Sequence, residues 1–210
     1  MTEEKKNCLL CGAASKKETG LLYECLRCGL LFKDPSNFWS LTKEKARYLT
    51  HNNDVENLGY LGYLNKLLSK MGALTGEVLD FGCGPEKGLE ALIKHNKFMD
   101  VKVDSYDPIF FPNLLPDKKY DYIYASECFE HFYNPQQEIE KVLSLLKSGG
   151  CIGVATNLSD EEDLENWWYT NDPTHVVFYS KKVFQFLAKK YHLEILHIES
   201  PHIILKSRPA

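Results

Sequence analysis

Residues 78–88 have the sequence VLDFGCGPEKG, which contains the clearest indication of the fold. The apolar run that ends at Phe81 indicates a buried parallel strand, and residues 87–95 show the spacing of a helix. Gly82 and Gly84 let the backbone turn sharply and let a ligand approach without meeting a Cβ. The free N–H groups that open the helix favour a negatively charged group nearby. The stretch therefore predicts a ligand cradle between a strand and a helix.

The spacing of these glycines argues against a dinucleotide-binding turn, which needs a third glycine three residues after the second. Lys87 stands at that position. Asp80 precedes the first glycine by two residues, an arrangement that resembles the first motif of class I S-adenosylmethionine-dependent methyltransferases. The chain differs in having Glu86 where that family often has a third glycine. The resemblance implies a cofactor site at Asp80, Gly82, Cys83, Gly84 and Pro85, with the acid near the methionine moiety.

Length and composition bound the class of protein. The 210 residues suit one full domain with a small appendage, and 44% hydrophobic residues suffice for a core. The N-terminus MTEEKKN lacks the apolar core of a signal peptide, and no apolar run is long enough to span a bilayer. We expect a cytoplasmic protein without membrane association. Its net charge of −4 gives no general attraction to nucleic acid.

Four of the seven cysteines occur as two pairs near the N-terminus, each followed by a glycine. The pairs are Cys8 with Cys11 and Cys25 with Cys28. Four thiolates at this spacing predict one tetrahedral zinc ion, which is structural because a closed site of four cysteines has no open position. The alternatives are two unrelated cysteine pairs and a redox role for one pair. We predict a zinc ribbon over residues 1–35.

Residues 36–74 show a helical pattern and are predicted to connect the ribbon to a methyltransferase domain over residues 75–210. Tyr48 and His51 lie in a polar and aromatic stretch just before the helix that leads to the first strand of that domain. They are candidates for a lid over the cofactor. The alternative is an ordinary helix-capping turn, for which Asn and Asp are common residues.

The next predicted strand, residues 101–106, ends at Asp107 and Pro108. An acid at this point is where nucleoside-binding folds bind the ribose hydroxyls, so Asp107 is the predicted ribose ligand. Asp104 is the competing acid, but it lies inside the strand pattern. Residues 109–111 either flank the adenine or belong to the core. About a dozen residues separate Asp107 from Tyr120, too few for the helix and strand that the family usually has there.

The following elements continue the resemblance over residues 77–156. A strand over 120–125 leads into Ser126 and the sequence E-x-x-E-H at residues 127–131; a helix over 135–146 ends in Lys147-Ser-Gly-Gly150, and a strand follows over 151–155. A helix over 180–191 and two strands close the chain. We therefore expect an α/β fold: a Rossmann-like class I methyltransferase sheet, shortened between its second and fourth strands, with a small N-terminal zinc ribbon. Ser126 and Pro108 join the predicted cofactor site.

Three chemically versatile side chains lie within E-x-x-E-H and share one face if the segment is helical. These are Glu127, Glu130 and His131, and His175 follows downstream. They resemble the metal ligands of methyltransferases of the small-RNA-terminus and ubiquinone-pathway types, which implies that these four residues bind magnesium or manganese. The alternatives are that the glutamates cap a helix or contact the cofactor, and that His131 or His175 acts as a catalytic base without metal.

The acidic and aromatic loop over residues 160–174 lies where the family has a substrate lid. Trp168, Tyr169 and Asp172 are its candidate substrate or lid residues. The alternatives are a solvated loop for the acids and local core for the aromatic residues.

The overall prediction is an S-adenosylmethionine-dependent methyltransferase. A CxxC ribbon joined to a short methyltransferase domain looks like bacterial enzymes of small molecules, which implies O-methylation of a sugar or a surface-polymer component. One alternative is an rRNA or other RNA methyltransferase that grips its substrate with the ribbon, although the Lys and Arg residues of 1–50 exceed the acids only by nine to six. Another is a catalytically silent module that binds the cofactor or a partner. The sequence leaves the oligomeric state open.

Overall fold

The structure is a computed structural model that describes residues 6–50, 53–113, 117–160 and 162–209. The chain order of its elements begins with β1 (Ser15–Lys17), β2 (Leu22–Cys25), β3 (Leu31–Lys33), α1 (Leu41–Tyr48), α2 (Leu58–Lys70), β4 (Gly76–Phe81), α3 (Gly88–His95) and β5 (Val101–Tyr106). It continues with β6 (Tyr120–Ser126), α4 (Pro135–Ser144), β7 (Leu146–Ala155), β8 (Val177–Phe178), α5 (Lys181–Lys190), β9 (Leu193–Glu199) and β10 (His202–Ser207). Short 3-10 turns occur at Pro35–Asn37, Phe129–His131 and Trp168–Asn171.

The main sheet has six strands in the order β5-β4-β6-β7-β10-β9. β10 runs antiparallel to both of its neighbours, and the other five strands share one direction. Among the described residues between β5 and β6 there are turns and one isolated bridge but no strand. The predicted α/β fold with a Rossmann-like, shortened sheet is confirmed. Because β4, β5 and β6 are parallel, their carboxyl ends meet at one edge.

Helices cover both faces of this sheet. α2 and α3 pack on one face, where alternate strand residues such as Val78 and Ile204 are buried. α4 and α5 pack on the other, against the neighbouring residues Leu79 and Ile203. Burial on both faces accounts for the apolar runs of the parallel strands. None of the helices in the described ranges is long and apolar enough to cross a membrane.

One predicted boundary is wrong. The stretch from Lys147 to Gly150 was expected to end a helix, but it forms the first half of β7. Leu146 pairs with Tyr120, and the register then shifts before Tyr122 pairs with Cys151. A shift of this kind places extra residues on one strand, and glycine accommodates the positive φ that it requires. Gly149 has a φ of +77°, which glycine can adopt either in a turn that ends a helix or in an irregularity of a strand.

The N-terminal ribbon forms a second sheet, which one strand from the C-terminal half completes. Its order is β1-β2-β3-β8, and β3 pairs antiparallel with β8 through Leu31 with Phe178 and Phe32 with Val177. Buried residues of the ribbon also belong to the same hydrophobic cluster as α4 and α5. The ribbon is therefore packed into the body of the protein.

Candidate functional site

A cavity of about 440 Å³ lies where the carboxyl ends of β4, β5 and β6 meet. All the residues predicted to bind the cofactor contribute to its lining: Asp80, Gly82, Cys83, Gly84, Pro85, Asp107, Pro108 and Ser126. They come from three separate segments of the chain. The parallel strand order brings them together, as expected for ligand sites in open α/β sheets.

The glycine turn is constrained by close packing. Gly82 has a φ of +78°, and a Cβ there would lie 2.5 Å from the Cys128 sulfur. A Cβ on Gly88 would lie 2.6 Å from Leu64 and 2.8 Å from the hydroxyl of Tyr60, both on α2. Gly88 is therefore the position at which α3 packs closely on α2.

Asp80 is buried just before this turn, and only 4% of its surface is exposed. Burial raises the pKa of its carboxyl to about 7, although the backbone N–H of Leu89 at the start of α3 favours the charged form. A cationic ligand in the cavity would stabilise the carboxylate further.

Asp107 joins the end of β5 to the glycine turn. Its Oδ2 accepts a hydrogen bond from the N–H of Gly84 at 3.0 Å, and its Oδ1 accepts from Ile109 and Phe110 at 2.8 and 3.0 Å. Asp104 instead accepts from the hydroxyl of Tyr120 and pairs with Lys118 at 2.7 Å, and it is not part of the cavity lining. Of the two acids, only Asp107 is placed to contact a ligand.

The two glutamates of the E-x-x-E-H segment occupy different environments. Glu127 has a left-handed backbone conformation with a φ of 49°, and only Phe129–His131 forms a short 3-10 turn. The segment is therefore not a helix, and its glutamates and histidine do not share one helical face. Glu127 lines the cavity and accepts a hydrogen bond from the hydroxyl of Tyr63 at 2.5 Å. Glu130 is fully buried and accepts from the hydroxyl of Tyr169 at 2.6 Å through Oε1. Burial raises the pKa of both carboxyls.

The two histidines are held in the same tautomer. Nδ1 of His131 lies 2.9 Å from the carbonyl of Thr174, and Nδ1 of His175 lies 2.8 Å from the carbonyl of Tyr169. Because a carbonyl only accepts, each Nδ1 carries the proton and each Nε2 keeps its lone pair. Burial lowers the pKa of both rings, that of His175 to about 3. Both rings line the cavity, and burial favours their neutral forms.

Three of the four predicted metal ligands converge. One donor atom each from Glu130, His131 and His175 lies within 4.8 Å of the others, whereas Glu127 is outside this group. Oε2 of Glu130 is buried without a hydrogen-bond partner. An unpartnered carboxylate oxygen beside two imidazole lone pairs is a set of acceptors, and the chemistry of this set fits a divalent cation.

The four N-terminal cysteines also converge, and their Sγ atoms lie within 4.8 Å of one another. Sγ of Cys8 lies 3.6 Å from that of Cys28, and Sγ of Cys11 lies 3.4 Å from that of Cys25. A tetrahedral zinc with bonds of about 2.3 Å has edges of about 3.8 Å, close to these values. Backbone N–H groups, such as that of Leu10, point at the sulfurs and stabilise thiolates. The cluster therefore fits zinc.

The predicted substrate and lid residues are dispersed. Tyr48 lines the cavity, and its ring packs edge-on against His131 at 5.1 Å between centroids. Tyr169 is buried behind Glu130, and Trp168 is 66% exposed at the surface. Asp172 forms an ion pair with Arg47 at 2.8 Å. His51 lies outside the described residues.

Several lining residues were not identified from the sequence: Glu44, Tyr60, Tyr63, Glu138 and Lys141. Tyr60 and Tyr63 stand three residues apart beside the leucine stripe of α2, and this pair of polar aromatic rings is the signal that was available. Glu44 is buried and accepts a hydrogen bond from the hydroxyl of Tyr48 at 2.6 Å. Its charged neighbours in α1 gave no sign of this burial.

Solved structures share this fold. An O-methyltransferase family protein from Burkholderia thailandensis has a TM-score of 0.55 at 12% identity, over 80% of this chain and 63% of that one. The N-methyltransferase NodS from Bradyrhizobium japonicum, in complex with S-adenosyl-L-homocysteine, has a TM-score of 0.51 at 12% identity, over 80% and 98%. The [4+2]-cyclase SpnF has a TM-score of 0.51 at 13% identity, over 81% and 93%.

Sequence comparison identifies the family. No curated protein matches the chain in sequence. The family model described as "Methyltransferase domain" matches residues 51–198, which is well over half of the chain and contains the main sheet except for β10 and the last residue of β9. The chain therefore belongs to the methyltransferase-domain family.

Proposed function

We propose that the protein is an S-adenosylmethionine-dependent methyltransferase that methylates a hydroxyl group of a small molecule. One observation carries the proposal: a single cavity joins the glycine turn, Asp80 and Asp107 to the unprotonated Nε2 atoms of His131 and His175. Its volume of about 440 Å³ lies within the usual range of small-molecule sites, roughly 300–1,000 Å³.

The cofactor side of the cavity fits the groups of S-adenosylmethionine. When bound, this cofactor supplies an electrophilic methyl group on a sulfonium. The Gly82–Gly84 turn leaves room for it, and the Asp80 carboxylate favours its positive charge. Oδ2 of Asp107 accepts only the hydrogen bond from Gly84 and retains a lone pair that can accept from a ribose hydroxyl, because each carboxylate oxygen has two lone-pair positions.

The opposite side of the cavity handles the proton of the acceptor. Methyl transfer would join the acceptor oxygen to the methyl carbon as the carbon–sulfur bond breaks and its electron pair returns to sulfur, and the hydroxyl proton must leave to a base. The pKa of His175, about 3, is too low for a base at neutral pH, so we assign to it the role of orienting the hydroxyl through Nε2. The proton then passes to Nε2 of His131. Alignment of the two reactants contributes roughly 7 to 11 kcal/mol to lowering the barrier.

Two metal sites complete the proposal. In a metal-bound alternative, in which His131 and His175 act as ligands instead of as base and orienting group, Glu130, His131 and His175, with Glu127 beside them, would hold magnesium or manganese, which would acidify a bound hydroxyl. The four cysteines would hold a structural zinc ion that stabilises the ribbon. Because none of the seven cysteines forms a disulfide, we also propose that the protein acts in a reducing compartment, the cytoplasm.

The direct test follows the labelled methyl group. Protein incubated with methyl-labelled S-adenosylmethionine and separated cell-extract fractions should label low-molecular-mass, hydroxyl-bearing compounds. Label in RNA instead would favour the RNA methyltransferase, and cofactor binding without label in any fraction would favour the silent module. Chelator treatment should lower the activity and manganese should restore it. If the chelator leaves the activity unchanged, no divalent metal takes part in the reaction, and His131 and His175 act without one.

A further inference from the structure

One short segment carries the groups that hold the proton-handling side of the cavity in place. His175 and Tyr169 both belong to residues 168–178, and the carbonyl of Tyr169 fixes the ring of His175. The hydroxyl of Tyr169 binds Glu130, and the N–H of Val176 binds the carbonyl of Glu130 at 2.8 Å. A displacement of this segment would move all of these groups together.

The N-terminal ribbon binds this same segment. The backbone N–H of Lys33, at the end of β3, donates to the carbonyl of Val176 at 2.9 Å. Its Nζ donates to the carbonyl of Asp172 at 2.8 Å and lies 5.7 Å from the ring centre of Phe178. One ribbon residue thus holds the segment on both sides of His175.

Apolar packing supports these hydrogen bonds. Leu22 and Leu31 of the ribbon form one buried cluster with Trp167, Tyr169 and Phe178. Each of these side chains is at most 5% exposed. A close-packed cluster transmits a shift of the ribbon to Tyr169, because such interiors leave little room for independent movement.

We propose that the ribbon is a positioning part of the active site and that Lys33 is the positioning residue that connects it to His175. The inference rests on the proposed function, since it assigns the ribbon to the histidine side of the methyltransferase cavity. Lys33 does not line the cavity, and it acts through Asp172 and Val176. The cofactor side, built on β4 and β5, has no contact of this kind with Lys33.

The test compares Lys33→Met with Lys17→Met, which replaces an exposed lysine of the same ribbon. Methionine keeps an unbranched apolar side chain of similar length and removes only the ammonium group, which is the part that reaches the Asp172 carbonyl and the Phe178 ring. The readouts are the NMR signal of the His175 Nδ1–H, hydrogen exchange over residues 172–178, and calorimetric binding of S-adenosylhomocysteine.

We expect Lys33→Met to broaden the His175 signal and to speed exchange over residues 172–178 about tenfold, as in local opening. Binding of S-adenosylhomocysteine should stay within about twofold of the wild type. Lys17→Met should change none of these, and Lys33→Arg, which restores a cation, should recover the His175 signal. If Lys33→Met does not fold, Lys33→Gln is measured in its place.

An unchanged His175 signal and unchanged exchange in Lys33→Met would overturn the proposal. So would an equal change in Lys17→Met. Failure of the wild type to bind S-adenosylhomocysteine would instead refute the proposed function, so the two failures are distinguishable.

Discussion

At the scale of single residues, the buried carboxyl of Asp80 lowers the stability of the ligand-free fold and is placed to bind a cationic ligand. Its pKa in the folded state is raised to about 7 by burial, whereas an unfolded aspartate has its ordinary value of 3.8. Between these values the folded protein binds more protons than the unfolded chain, so this residue lowers stability as the pH rises through that window. Above pH 7 the cost is complete, on the order of 4 kcal/mol.

Asp80→Asn is therefore expected to stabilise the ligand-free protein at pH 8 and to leave its stability nearly unchanged at pH 4. The amide cannot ionise and keeps an oxygen for the N–H of Leu89. Urea unfolding of both proteins at the two pH values measures the effect, and S-adenosylhomocysteine should meanwhile bind the variant more weakly. A gain at pH 4 as large as that at pH 8 would contradict the assignment.

The two glycines of the turn predict a second contrast. Gly82→Ala places a Cβ against the Cys128 sulfur, whereas a Cβ on Gly84 meets nothing within 4 Å. Both positions have a positive φ, which costs alanine roughly 1 to 2 kcal/mol. Overpacking adds about 1 to 3 kcal/mol at Gly82 alone. Thermal unfolding should therefore rank Gly82→Ala below Gly84→Ala, and equal losses would show that the turn is looser than described.

The residues predicted to bind the cofactor could be selected from the sequence because a local motif carries the information. The cofactor residues follow from the glycine turn and from strand ends, and all of them line the cavity. Glu44 and Tyr63 were missed because their role depends on where α1 and α2 pack. In the sequence they read as ordinary members of amphipathic helices.

At the scale of elements, the ribbon is the part whose integrity should depend on a metal. Purified protein is expected to contain about one zinc per chain, since a site of four cysteines is filled by one ion. Cys25→Ser should lose the zinc and a large part of the stability. Cys151→Ser, which changes a buried cysteine of β7 outside the cluster, should keep the zinc. Absence of zinc from the wild type would refute the metal assignment.

Strands with a repeating pattern were predicted well, and those defined by distant partners were not. The expected strand over residues 101–106 matches β5 in both bounds. β8 has two residues, too few for any periodicity, and its partner β3 lies more than 140 positions earlier in the chain. The start of β7 was predicted five residues too late, because the two glycines before Cys151 are compatible with a turn and with an irregular strand.

At the scale of the whole molecule, charge bears on the choice of substrate. The net charge is −4, and among the described residues five carboxyl groups, those of Glu44, Asp80, Asp107, Glu127 and Glu138, line the cavity beside a single lysine, Lys141. This lysine donates a hydrogen bond to the hydroxyl of Tyr106. A polyanion gains little from such a surface.

We therefore expect no measurable retention of ribosomal RNA by the protein at about 0.15 M salt, where specific RNA-binding proteins still bind. A mobility-shift titration over a range of salt concentrations measures this. Tight binding that weakens steeply with salt would instead identify the ribbon as an RNA grip and favour the alternative function.

The central claim, that the cavity is an S-adenosylmethionine site, is tested most directly by calorimetric titration of S-adenosylhomocysteine into the purified protein. We predict saturable binding of one molecule per chain, weakened about tenfold or more by Asp107→Ala and unchanged by Asp104→Ala, because a lost hydrogen bond from the ribose to a charged carboxylate is worth about 1.5 to 3 kcal/mol. No binding by the wild type, or binding of NAD in preference, would contradict the account.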